Sequence, residues 1–144
     1  MMTPVDTWSA YPEVDLPELD IEHQALGATV LEMLEAMTDD DQERTFALGC
    51  ELAVDVQKHF AHEEALMREI GYPDAARHAS MHEEFLAEAR WHLEIARTRG
   101  LTADVLRWAG QLDEWFHRHV TTEDMWLARA VNRARAKPPA TSSR

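Results

Sequence analysis

His59-Phe60-Ala61-His62-Glu63-Glu64 and, a short turn later, His78-Ala79-Ser80-Met81-His82 decide the reading of this chain. His59 and Glu63 are four residues apart, and so are His78 and His82. On an α-helix that spacing stacks two side chains on one face, one turn apart. Each pair can therefore grip a metal ion from a rigid support. A single such pair is readily explained by chance; two in succession are not. The midpoint between the pair centres falls in Gly71-Tyr72-Pro73-Asp74, the strongest breaker in the region. A helix ending at Ile70 and another beginning near Pro73 put both pairs at one height in an antiparallel hairpin.

The flanking sequence extends both helices. Leu52, Val56, His59, Glu63, Leu66 and Ile70 recur at alternating steps of four and three, one unbroken core stripe. His59 and Glu63 sit inside it, where an imidazole and a carboxylate are costly unless paired or bound to metal. The next helix continues through Phe85, Ala89, Leu93 and Ala96 to Arg97-Thr98-Arg99-Gly100, a basic last turn closed by glycine. Upstream, Asp20 can cap a first helix carrying His23, Leu26, Val30, Met33 or Leu34, and Met37; Thr38-Asp39-Asp40-Asp41 ends it. Downstream, Thr102 can cap a helix with Val105, Trp108, Leu112, Trp115 and His119 on one face. The expected fold is all-α, an up-down-up-down antiparallel four-helix bundle over residues 20–136. Residues 1–19, with three prolines and Trp8, Tyr11 and Leu16, form an N-terminal arm expected to pack on the bundle; 137–144 reads as a disordered tail.

Composition agrees and excludes alternatives. The 144 residues suffice for a core without disulfides, and one cysteine, Cys50, reads as a small core residue. A formal charge of −13 argues against nucleic acid and anionic membranes as partners. The start has neither a basic nor an apolar leader region and no run is long enough to span a bilayer, so the expected location is cytoplasmic.

Applying the midpoint test to the other turns brings His23 and the His119/Asp124 pair to the level of His59/Glu63 and His78/His82. Five histidines and two carboxylates are too many for one ion. They suit two metals bridged by Glu63 and Asp124, since carboxylates can bridge and neutral imidazoles cannot. Nitrogen-rich ligation without thiolate favours iron over zinc, copper or manganese. His62, His92 and His117 lie off this pattern and read as surface or boundary residues, Glu64 as part of a solvated face.

At these residues the chain resembles the hemerythrin family, in particular its single-domain bacterial members. The family pattern of a helix-one His, HxxxE, HxxxH and HxxxxD is met at His23, at His59 and Glu63, at His78 and His82, and at His119 and Asp124. Softer likenesses are Trp8, Asp20, Phe60, Met67 and the Gly71-Tyr72-Pro73 turn. The resemblance implies reversible dioxygen binding, for storage, delivery or buffering, at an oxo- or hydroxo-bridged pair of iron ions. By that resemblance His78, His82 and His119 hold one iron, and His23 and His59 the other, which keeps an open position for O2. An apolar pocket over that position is expected, with Leu26, Phe60, Trp115 and Phe116 as candidate liners and Trp8 as a lid. The same site could instead reduce peroxide or nitric oxide as an enzyme, or sense O2 or redox state through a protein partner the sequence does not identify.

Helix four breaks the pattern. His119 and Asp124 are five residues apart, which at about 100° per residue leaves them roughly 140° apart around a regular helix. The apolar stripe slips by one at the same place, with Asp124, Leu127 and Val131 in a later phase. A π-type turn absorbing one residue would restore a common face; otherwise Asp124 reaches in sideways from an undistorted helix. On either account, removing a residue between His119 and Asp124 is expected to cost the second carboxylate bridge.

Overall fold

The computed structural model describes residues 11–137. Four helical rods pack as antiparallel neighbours: α1 (Pro17–Thr38), α2 (Gln42–Ile70), α3 (Ala75–Arg99), and a last rod made of α4 (Ala103–His119), a π-helical turn (Val120–Asp124) and α5 (Met125–Ala136). None of these helices is long and apolar enough to cross a membrane.

The turns lie where the breakers stand. Asp41 caps α2, its carboxylate accepting from the Arg44 N–H at 3.1 Å. Gly71 ends α2 in the left-handed region (φ 62°), a conformation that a Cβ would penalise. Thr102 caps α4 through the Val105 N–H at 3.3 Å. Only the first boundary moves. α1 begins at Pro17, not at Asp20, because proline needs no N–H acceptor in a first turn and its fixed φ suits a helix. Asp20 lies inside the helix and reaches back, accepting from the N–H groups of Val14 (2.7 Å) and Leu16 (3.2 Å). That contact ties down the described end of the arm.

Tyr11, Val14 and Leu16 of the arm are buried with the bundle core, as expected of a packed segment. The Tyr11 hydroxyl donates to Asp113 Oδ1 at 3.0 Å, and Asn132 Nδ2 donates to the Asp15 carbonyl at 2.8 Å. The segment thus runs beside the last rod and is fastened on either side of its π turn. Trp8, and the tail from 138 onward, lie outside the described residues.

The π turn resolves the mismatch of helix four. The Met125 N–H donates to the Val120 carbonyl, five residues back. Backbone dihedrals at Val120 and Met125 stay right-handed helical, so the rod continues through the turn. One surplus residue is absorbed, and Asp124, Leu127 and Val131 regain the buried face.

Candidate metal centre

Each helical rod contributes to one polar cluster inside the apolar core. His23 comes from α1, His59 and Glu63 from α2, His78 and His82 from α3, and His119 and Asp124 from the two sides of the π turn. All seven side chains are buried, none more than 4% exposed. They fall into two overlapping groups whose potential ligand atoms lie within 4.8 Å of one another: Glu63, His78, His82, His119 and Asp124, and His23, His59, Glu63 and Asp124.

The shared carboxylates divide their oxygens between the groups. Glu63 Oε2 faces His59 Nε2 (3.0 Å) and His23 Nε2 (3.6 Å), whereas Oε1 faces His82 Nε2 (3.0 Å) and His78 Nε2 (3.3 Å). Asp124 Oδ2 faces His23 Nε2 (2.9 Å), and Oδ1 faces His119 Nε2 (3.2 Å) and His78 Nε2 (3.3 Å). One oxygen per half from each carboxylate is the arrangement a bridged pair of cations requires.

Electrostatics point the same way. Burial pushes the Glu63 carboxyl up, but the His59 charge and the contacts with His23, His59 and His78 together hold it well below the usual carboxylate range. Burial and the Glu63 charge push Asp124 up, and contacts with His119, His23 and His78 bring it below its ordinary value. Burial opposes charge on the imidazoles, yet the carboxylates draw His59 up to about 10 and His78 to about 9.

Hydrogen bonding does not satisfy the cluster. His23 Nε2, Glu63 Oε2 and both Asp124 oxygens are buried, and close as their neighbours lie, none is aligned for a hydrogen bond. Buried polar atoms are normally paired, so converging lone pairs left over at one level fit bound cations. The imidazole-rich donor set with two bridging carboxylates and no thiolate suits a first-row metal pair.

A family model described as the hemerythrin HHE cation binding domain matches residues 14–131. The chain belongs to the hemerythrin family. No curated protein matches the chain. The matched residues run from just before α1 to the middle of α5, and the buried His/Glu/Asp cluster within them is suitable for a pair of metal ions.

The candidate pocket residues separate. Leu26 is buried on α1 and lines a surface groove of about 300 Å³ with Glu22, Ala25, Asp55, Lys58 and His59, on the two-histidine side. Phe60 and Trp115 wall the three-histidine side instead. The Phe60 ring stacks on His82 (centroids 3.7 Å, 6° between planes) and Trp115 on His119 (4.6 Å, 12°). Phe116 packs on Phe85, Trp115 and Tyr11.

Of the other histidines, His92 stacks on Trp108, and His117 is exposed beside Tyr11. Glu64 departs from the expected solvated role: its Oε2 meets His82 Nδ1 at 2.9 Å. Glu22, not singled out in the sequence, meets His59 Nδ1 at 2.6 Å and His62 Nδ1 at 2.8 Å. Glu123, next to Asp124, is buried and held by both terminal nitrogens of Arg77 at 2.7 and 3.2 Å.

Proposed function

We propose that this hemerythrin domain binds dioxygen reversibly at a pair of iron ions. The observation that carries the reading is the asymmetric division of five imidazoles around two shared carboxylates. His78, His82 and His119 would complete one iron with Glu63 and Asp124. His23 and His59 would leave the other a ligand short, with room for an exogenous molecule. Iron supplies the electrons that hold dioxygen; the protein supplies position, neutrality and dryness. Neutral imidazoles bring less negative charge than an all-carboxylate set, which disfavours the high oxidation states that O–O cleavage needs. Burial keeps water from the cluster, and Leu26 places apolar surface beside the two-histidine half.

The test is optical. Reduced, iron-loaded protein should be nearly colourless, gain a visible charge-transfer band under O2 and lose it under vacuum over repeated cycles. Oxidation in a single irreversible step, with turnover of peroxide or nitric oxide in the presence of a reductant, would replace this reading with the enzymatic one.

A further inference from the structure

We propose that Glu22 and Glu64 are positioning residues, one for each half of the metal centre, and that His62 completes the Glu22 arm. The proposal rests on the di-metal reading of the cluster. Five imidazoles point Nε2 inward, but their outward nitrogens are treated differently. Nδ1 of His59 lies 2.6 Å from Glu22 Oε1, and Nδ1 of His82 lies 2.9 Å from Glu64 Oε2. Nδ1 of His23, His78 and His119 is buried without a hydrogen-bond partner. The two buttressed rings fall one in each half: His59 in the two-histidine group, His82 in the three-histidine group.

A carboxylate at Nδ1 requires the proton there and leaves Nε2 as a lone pair aimed at the metal. It also raises the donor strength of the ring. Ring orientation and ligand basicity are thus set from outside the cluster. The Glu22 arm is the more constrained of the two. Its second oxygen meets His62 Nδ1 at 2.8 Å, His62 Nε2 lies 3.4 Å from Glu18 Oε2, and Glu18 is paired with Arg135 at 2.6 Å. The carboxylate behind His59 is therefore anchored to α1, α2 and α5 together. Glu22 also lines the groove that reaches His59. Without the carboxylate, solvent in that groove would compete for Nδ1.

Titration with Co2+, followed by its visible ligand-field bands, tests the assignment without iron or oxygen. The wild-type chain should take two ions. Glu22→Ala should leave one tight ion and weaken the other by 10–100-fold; Glu64→Ala should do the same to the other half, with different residual bands. Both residues are about one-third exposed, so the variants should fold, which circular dichroism verifies. Glu22→Gln keeps an acceptor and should recover most of the affinity, which a merely structural role for the charge would not predict. His62→Gln should give a smaller loss in the same half as Glu22→Ala. Two ions at wild-type affinity in both alanine variants, or identical residual bands from the two, would overturn the proposal. A wild-type chain that takes fewer than two ions would instead overturn the di-metal reading itself.

Discussion

Deleting Thr122 probes the feature that aligns the last helical rod with the cluster. In a regular helix, loss of one residue rotates everything beyond it by about 100°. Leu127, Ala128 and Val131, all fully buried, would leave the core together with Asp124. Exposing the leucine and valine alone would cost about 3–6 kcal/mol at roughly 1.5–3 kcal/mol each. That is a large fraction of a typical domain's stability of about 5–15 kcal/mol. The π turn predicts another outcome. Thr122 lies in the five residues that absorb the surplus step, so its removal lets the rod run as an ordinary α-helix with His119 and Asp124 four apart. The α5 face stays in phase, and so does Glu123, clamped to Arg77. The identifiable loss is the Thr122 hydroxyl bond to the Arg118 carbonyl (2.7 Å), of order 1 kcal/mol, offset by regular helix bonding. For Thr122 the π turn thus leads to a different expectation from loss of the second bridge. Urea unfolding of the deletion variant should agree with wild type to within about 1 kcal/mol, and metal analysis should still find two ions per chain. Deleting Gly110, within the regular α4, provides the contrast and should unfold the protein. A loss of about 3 kcal/mol or more, or of either ion, for the Thr122 deletion would refute the reasoning.

Two further outcomes follow from other parts of the structure. Burial, with the charge and hydrogen bond of Asp113, pushes the Tyr11 hydroxyl far above its ordinary value. A raised pKa stabilises the fold fully below the unfolded value near 10 and loses that contribution as pH rises past it, by about 1.4 kcal/mol per pH unit. Urea midpoints should therefore fall more steeply between pH 9.5 and about 11 in wild type than in Tyr11→Phe, and parallel curves would contradict the burial of the hydroxyl. Chelation of the reduced protein should lower Tm, since the empty cluster leaves its polar atoms unpaired. One site held at a hundredfold its Kd contributes about 2.7 kcal/mol, roughly 10 °C at this size; an unchanged melting curve of verified apoprotein would count against the coupling.

The seven cluster residues were legible because their chemistry conflicts with their position. An imidazole or carboxylate in an apolar stripe needs a reason, and the turn midpoints put all of them at one height. The π turn was legible as a phase slip common to ligands and core. Glu22 and Glu64 were not, because they sit one residue off the stripe, at boundary positions where acids are ordinarily solvated. Their partners are set by how helices lean together, which periodicity along one helix does not encode. A signal was present nonetheless: the midpoint of Glu64 and His82 falls in the Gly71–Asp74 turn, and that of Glu22 and His59 in the Asp39–Asp41 turn. The apolar wall was read in kind but not in side. Phe60 and Trp115 could be placed near histidines by spacing, while their stacking on His82 and His119 depends on ring orientation. The arm was recognisable from its large apolar residues, yet the start of α1 was set by Pro17 and not by the more obvious capping aspartate.

Two metal ions held in one buried cluster through shared carboxylates set a definite iron stoichiometry. Protein loaded anaerobically with excess Fe2+ and then desalted should retain two irons per chain, and Glu63→Ala should retain none tightly, because it removes a ligand from both halves at once. A single iron per chain in the wild type, or two irons undiminished in Glu63→Ala, would rule out a carboxylate-bridged pair at this cluster.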